Sequence, residues 1–209
     1  MKQRTDEEMR WKTLGSEYLI KRPWLTARRD KLELPTGKVF DEYYVLEYPT
    51  WVNVIALTKE RKIILERQYR HALGVVSTEI VAGCVEEGET PIEGAQRELQ
   101  EETGYTGGKW TELMTISPNP STMTNLCHCF LAEGVERTTE QHWDATEDLE
   151  VFLKNEEEVF AMLQQGVFLQ AMMVAPLWKY LTYSSFCRLK SVMPFDIYTC
   201  FAHSRYLQH

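Results

Sequence analysis

The sequence has no long apolar stretch. Its first ten residues, MKQRTDEEMR, lack the hydrophobic segment of a secretory leader. The best membrane candidate, residues 167–180, is interrupted by Gln170, Pro176 and Lys179, short of the ~20 apolar residues that cross a bilayer. No membrane role is expected. There is no run of lysines and arginines either. The basic residues 61, 62, 67 and 70 are interleaved with apolar ones, and the net charge is −8. A nucleic-acid backbone would be repelled by such a chain, so no nucleic-acid partner is expected. Cysteine is scarce: five residues, an odd number, without the spacing of a disulfide scaffold. A reducing, cytoplasmic setting follows. Cys127-His128-Cys129 has metal-ligating types, but a strand would point the two thiols to one face and the imidazole to the other. A buried strand is the expectation there. Internal repeats and low-complexity segments are missing too.

What is present suits one globular domain with a small appendage: 209 residues, 44% of them hydrophobic. Residues 16–20, 25–34 and 39–48 are rich in β-branched and aromatic types and are punctuated by Pro23, Pro35-Thr36-Gly37 and Pro49. They predict a strand meander. Residues 51–57 and 62–69 read as two buried strands, with Trp51 in the core. Shorter strands are predicted at 77–82, 113–116, 125–132 and 149–153. Helices are predicted at 90–103, 155–165 and 169–183, the last bent or broken by Pro176. This order gives an α+β or mixed-sheet sandwich. The expected division is an N-terminal β meander over 1–48, a catalytic domain over 49–183 and a C-terminal extension over 184–209, which shows no clear period and suggests no function.

The helix at 90–103 is locally well specified. Thr90 can cap it, Pro91 suits its first position, Glu93 completes a capping box, and Gly104 supplies a left-handed stop. Ile92, Ala95 and Leu99 can face a sheet. Glu98, Glu101 and Glu102 crowd one face at spacings of three and four, which destabilises an isolated helix, and Arg97 offsets this only in part. A hard cation would neutralise the cluster, because carboxylate oxygens are what Mg²⁺ takes. Gly83, lacking a Cβ, lets the preceding turn bring a carbonyl close. The plainer alternative is a solvated acidic face.

The full pattern decides between them. Gly83, Glu89, Arg97, Glu98, Glu101, Glu102 and Gly104 occupy all seven invariant-type positions of a segment that resembles the Nudix box, and Leu99 and Tyr105 fill its apolar positions. A chance match per start position is on the order of 10⁻⁸. The resemblance implies an α/β/α sandwich around a mixed sheet. It implies Glu98 and Glu102 as the main metal ligands, Glu101 as an assisting one, the carbonyl of Ala82 on a metal, Arg97 orienting the glutamates and Glu89 supporting the loop. It also implies Mg²⁺, with Mn²⁺ as a substitute, and hydrolysis of a nucleoside diphosphate linked to another moiety.

Within that family the sequence is similar to the ADP-ribose pyrophosphatase branch. An N-terminal meander precedes the core. Arg67-Gln68-Tyr69-Arg70 precedes Glu79-Ile80-Val81-Ala82-Gly83, and Pro120 lies fifteen residues past Tyr105. Val81 stands where the branch usually has proline, and residues 117–122 lack its acidic residue. Cleavage of ADP-ribose to AMP and ribose 5-phosphate is the leading expectation. Another nucleotide sugar, a dinucleotide or a non-catalytic nucleotide sensor are the alternatives. Arg28, Arg67, Arg70, Gly83 and Pro120 are candidate substrate contacts, the arginines equally suited to structural pairing. Tyr18 and Trp24 are expected in the core or at a subunit interface rather than stacked on a base. The aromatic-rich meander suggests a homodimer. The acidic segment 136–148 suggests a base that activates water, with Glu147 favoured by the resemblance of Glu147-Asp148-Leu149-Glu150-Val151 to the family's run into its last strand.

Overall fold

The computed structural model describes residues 3–143 and 148–192. A single helical turn, α1 (Asp6–Met9), leads into an antiparallel sheet in the order β1 (Lys12–Arg22), β2 (Leu25–Glu33), β3 (Val39–Glu47). This is the predicted meander, with a longer first strand. β1 is exposed along its whole length. Tyr18 and Trp24 are exposed as well, Trp24 at 86%, so neither lies in this chain's core. Cross-strand ion pairs such as Arg29–Glu17 (2.6 Å) and Lys31–Asp41 (2.8 Å) lace the sheet. β3 ties it to the rest: the Leu46 amide donates to Thr122 O (2.7 Å), the Thr124 amide donates to Leu46 O (3.1 Å), and the Tyr43 hydroxyl donates to Ser121 O.

The second sheet is mixed and eight-stranded. Its strands are β4 (Trp51–Thr58), β5 (Lys62–Arg70), β6 (Val75–Glu79), β7 (Val81–Cys84), β8 (Tyr105–Thr106), β9 (Lys109–Ile116), β10 (Cys127–Arg137) and β11 (Leu149–Asn155). The main path is β11-β5-β4-β10-β8, with β4 and β10 parallel and β9 also paired to β10. β4 and β5 pair only at Leu57↔Ile63 and then diverge. β6 and β7 fill the gap, β6 along β5 and β7 along β4. The single strand predicted at 77–82 is thus two strands, divided at the buried Ile80, because each half pairs with a different neighbour.

β4 is buried on both faces, as expected of a run that is apolar from Trp51 to Leu57 except at Asn53. Val52, Val54 and Ala56 pack toward α2 (Pro91–Thr103), with Ala95 and Leu99. Ile55 and Leu57 pack toward α3 (Glu156–Gln164) and α4 (Ala171–Val192), with Val159, Leu163, Met173 and Leu177. The result is the expected α/β/α sandwich beside an antiparallel meander. Trp51, expected in the core, is half-buried beside Cys127, Cys129 and Met172. Cys127 and Cys129 are buried while His128 turns to Glu112 (2.8 Å), as strand alternation demands.

Pro176 neither breaks nor ends α4. It has no amide hydrogen for the Met172 carbonyl one turn back. The side chain of Asn53, buried in β4, donates to that carbonyl instead (2.7 Å). Among the described residues, no helix is long and apolar enough to cross a membrane.

Candidate metal centre

α2 carries the signature carboxylates, and its ends are built as expected. The Thr90 side chain accepts from the Glu93 amide, the Glu93 side chain accepts from the Thr90 amide, and Gly104 closes the helix at φ +75. The buried face differs from the apolar stripe read in the sequence. Ile92 is 38% exposed, while Glu98 and Glu102 are 9% and 3% exposed. The helix is therefore rotated so that two carboxylates, not Ile92, face the sheet beside Ala95 and Leu99. Full burial of Leu99 contributes roughly 1.5–3 kcal/mol toward holding that orientation.

β7 lies directly over those carboxylates. The Cys84 amide donates to Glu98 Oε1 (3.2 Å) and the Ala82 amide to Glu102 Oε2 (3.4 Å). A Cβ on Gly83 would fall inside the envelope of the Glu98 carboxyl group, so only glycine leaves room for that side chain. Amide and carbonyl of one residue share an edge of an antiparallel strand. The Ala82 carbonyl is therefore on the edge that faces the glutamates, as the Cys84 carbonyl is, which accepts from Arg97 Nη2 (2.8 Å).

Arg97 is the hub. Its guanidinium reaches Glu89 (2.8 Å), Glu98 (3.0 Å) and Glu101 (3.0 Å). Its pKa is raised, foremost by the hydrogen bond to Glu89, and that same bond lowers Glu89. The Glu98 carboxyl is raised: burial outweighs the pull of Arg97. One guanidinium thus serves three carboxylates, and Glu98 keeps an unbalanced tendency to take up a proton. An additional cation would satisfy it.

Do these residues fit one? Among the described residues, no three acidic, imidazole or thiol side chains form a ready-made cage. A small hard cation needs none, since it keeps several waters and takes one or two carboxylates, with substrate phosphates completing its shell. Glu98, Glu102 and the Ala82 carbonyl supply that set, and Glu101, at 42% side-chain exposure, stands beside it. The donor chemistry fits.

The other candidates fall at different distances from this centre. Arg70 clamps the buried Glu79 with both Nε (2.8 Å) and Nη2. Its pKa is raised first by that hydrogen bond, and the charge of Glu102 also contributes, so it stands within the field of the centre. Arg67 lies on the opposite face of β5 by strand alternation. It pairs with Glu150 (3.3 Å) and lines an open cavity of about 500 Å³ with Tyr69, Val76 and Asp148. Arg28 is held in the N-terminal sheet by Asp30 (3.0 Å) and Glu47. Pro120 is exposed on the loop that docks on β3. Glu147 lies outside the described residues. One participant has no role in the sequence reading, Glu79, the anchor of Arg70; residues 138–143, part of the acidic segment 136–148 read as the source of a base, lie against the end of α2. The sequence signal for Glu79 is its place at the head of the Glu79-to-Gly83 run, three residues before Ala82.

Comparison with known proteins bears on the whole architecture. A family model described as the NUDIX domain matches residues 48–170, and one described as the nucleoside diphosphate sugar hydrolase N-terminal domain matches residues 11–46. A protein of Bacillus subtilis (strain 168) named ADP-ribose pyrophosphatase is 34% identical over 154 residues, 73% of this chain and 83% of its own length. One of Bacillus methanolicus named methanol dehydrogenase activator is 34% identical over 126 residues, 60% of this chain and 68% of its own. A solved structure described as an ADP compounds hydrolase superimposes with a TM-score of 0.73 over 83% of this chain and 93% of that one, at 22% identity, a likeness of fold.

Proposed function

The chain belongs to the Nudix hydrolase family, and from that premise we propose that it is a Mg²⁺-dependent pyrophosphohydrolase that cleaves ADP-ribose to AMP and ribose 5-phosphate. The observation that carries this reading is the pair of buried carboxylates, Glu98 and Glu102, set against the Cβ-free backbone of Gly83 with one guanidinium among three acids. Glu98, Glu102 and the Ala82 carbonyl would hold Mg²⁺ (or Mn²⁺), with Glu101 assisting. When bound, the ion neutralises charge on the diphosphate and makes its water more acidic. Arg97 keeps the carboxylates in place through Glu89 and Cys84 O. Water adds to one phosphorus and the bridging oxygen leaves with the other phosphate, so the protein's task is positioning and electrostatics. The base is assigned to Glu147. Arg70, Arg67, Gly83 and Pro120, with Arg28 from the N-terminal sheet, are the proposed substrate contacts.

ADP-ribose is favoured by the nucleoside diphosphate sugar hydrolase match over residues 11–46, by the named activity of the Bacillus subtilis relative and by the Arg67 to Arg70 run. The division of the chain near residue 48 is supported by the boundary between the two matched families. A cytoplasmic location is supported by the absence of disulfide-scaffold spacing among the cysteines. The test is a panel of nucleoside diphosphate derivatives, dinucleotides included, assayed with Mg²⁺ and with Mn²⁺, products identified by mass. ADP-ribose should be hydrolysed fastest, giving AMP and ribose 5-phosphate. Faster turnover of another compound would move the substrate, and no turnover of any would favour a nucleotide sensor.

The same reading makes the protein a homodimer through the N-terminal sheet. Trp11, Leu14, Tyr18, Ile20 and Trp24 are all exposed there, and exposed apolar side chains in such number are of the kind that marks an interface. Light scattering at micromolar concentration should return twice the chain mass. A monomer would refute this.

A further inference from the structure

We propose that Gln141 and Trp143 are positioning residues of the metal centre, acting together on the main-chain carbonyl of Glu102. The proposal rests on the metal-binding role given above to Glu102.

The last carbonyls of a helix find no donors within it. In α2 the Gly104 amide returns to Gln100 O (2.8 Å) and the Thr103 hydroxyl donates to Leu99 O. Among the carbonyls left are those of Glu101 and Glu102, the proposed ligands. Both are taken by the segment that follows β10. The His142 amide donates to Glu101 O (2.9 Å). Gln141 Nε2 (2.8 Å) and Trp143 Nε1 (3.0 Å) both donate to Glu102 O. The Thr138 and Thr139 amides donate to Gly104 O (3.0 and 3.2 Å), and a Cβ on Gly104 would collide with the Thr139 carbonyl. The strap therefore explains a second reason for glycine at 104 besides its left-handed φ.

Fold stability does not call for this arrangement. Water can satisfy the terminal carbonyls of a surface helix, and Trp143 is 42% exposed, so it is not a core side chain. A carbonyl oxygen has two lone pairs, and here two side chains from one segment fill both. Their joint effect is to fix the backbone from which the Glu102 carboxylate extends to the Ala82 amide. An error of about 1 Å at a reacting centre is worth roughly 10²-fold in rate, so a fixed last turn is what such a carboxylate requires.

The test compares Gln141→Met, which keeps the side chain's length, Trp143→Phe, which keeps an aromatic ring, and the double variant, each removing one donor or both. Mn²⁺ binding to substrate-free protein is read by calorimetry, kcat and KM on the best substrate of the panel, and melting temperature alongside. The single variants should each lose little, since the remaining donor holds the carbonyl. The double variant should lose about tenfold or more in Mn²⁺ affinity and roughly 10²-fold in kcat, with KM and melting temperature near wild type. Wild-type Mn²⁺ affinity in the double variant would overturn the proposal. So would losses that add up from the single variants, or a double variant that fails to fold, either of which makes the strap structural. The Mn²⁺ titration needs no turnover, so its outcome stands apart from any error in the substrate.

Discussion

Glu102→Gln should give a folded protein whose kcat is lower by about 10³-fold or more, since a metal contact contributes several kcal/mol of transition-state stabilisation and each ~1.4 kcal/mol is a factor of ten. Glutamine keeps the shape of glutamate and can still accept from the Ala82 amide. It gives up only the charge. That charge is buried at 3% exposure, four residues from Glu98 and next to Glu101. Like charges at that spacing oppose the helix, so the metal-free variant should melt at or above the wild-type temperature. Activity and stability then move in opposite directions, which damage to the fold cannot produce. Turnover at saturating Mg²⁺ and thermal melting without metal are the two measurements. Near-normal kcat in a folded Glu102→Gln protein would remove Glu102 from the metal set.

The parts of this molecule that could be read in the sequence are those specified by neighbours along the chain. The caps of α2 depend on Thr90, Pro91, Glu93 and Gly104, all within one helix length, and every one acts as read. β4 announces its double burial by a run that is apolar from Trp51 to Leu57 except at Asn53. The features that escaped depend on partners far away. Whether 75–84 is one strand or two is decided by the divergence of β4 from β5, not by its own residues. Pro176 is tolerated because of Asn53, more than a hundred positions earlier. The rotation of α2 that exposes Ile92 and buries Glu98 is set by the contact with Gly83.

The arginines show the same limit at the candidate site. Arg28, Arg67 and Arg70 look alike as isolated cations in strands. Their settings differ: a pair of acids within the N-terminal sheet for Arg28, an exposed glutamate beside an open cavity for Arg67, a buried glutamate near Glu102 for Arg70. No local pattern distinguishes Arg67 from Arg70, because Glu150 and Glu79 come from other strands; Arg28 has one partner two positions on, Asp30, and a second, Glu47, from the next strand. Only the signature itself, with carboxylates and glycines at fixed offsets, made the centre legible in advance.

Gly83→Ala should separate the centre from the fold even more sharply. Gly83 does not have the positive φ that disfavours side chains, so alanine is compatible with its backbone. Restricting the unfolded chain in this way is worth about 0.4–1 kcal/mol in favour of folding. The new methyl would occupy the space of the Glu98 carboxyl group, the far end of a flexible side chain that can swing aside. Swinging aside has consequences: the Cys84 amide loses its acceptor and Arg97 loses one of three carboxylates. A lost hydrogen bond of this kind costs about 1 kcal/mol, close to what the alanine contributes, so the melting temperature should change by only a few degrees. The carboxylate, however, would be displaced by more than an ångström, and kcat should fall by roughly 10²-fold or more. Gly15→Ala is the control, a strand glycine with nothing near its would-be Cβ; it should leave both kcat and Mn²⁺ affinity unchanged. If Gly83→Ala turned over at the wild-type rate, the position of Glu98 against β7 would not matter for chemistry, and the metal centre would have to be built from Glu101 and Glu102 alone.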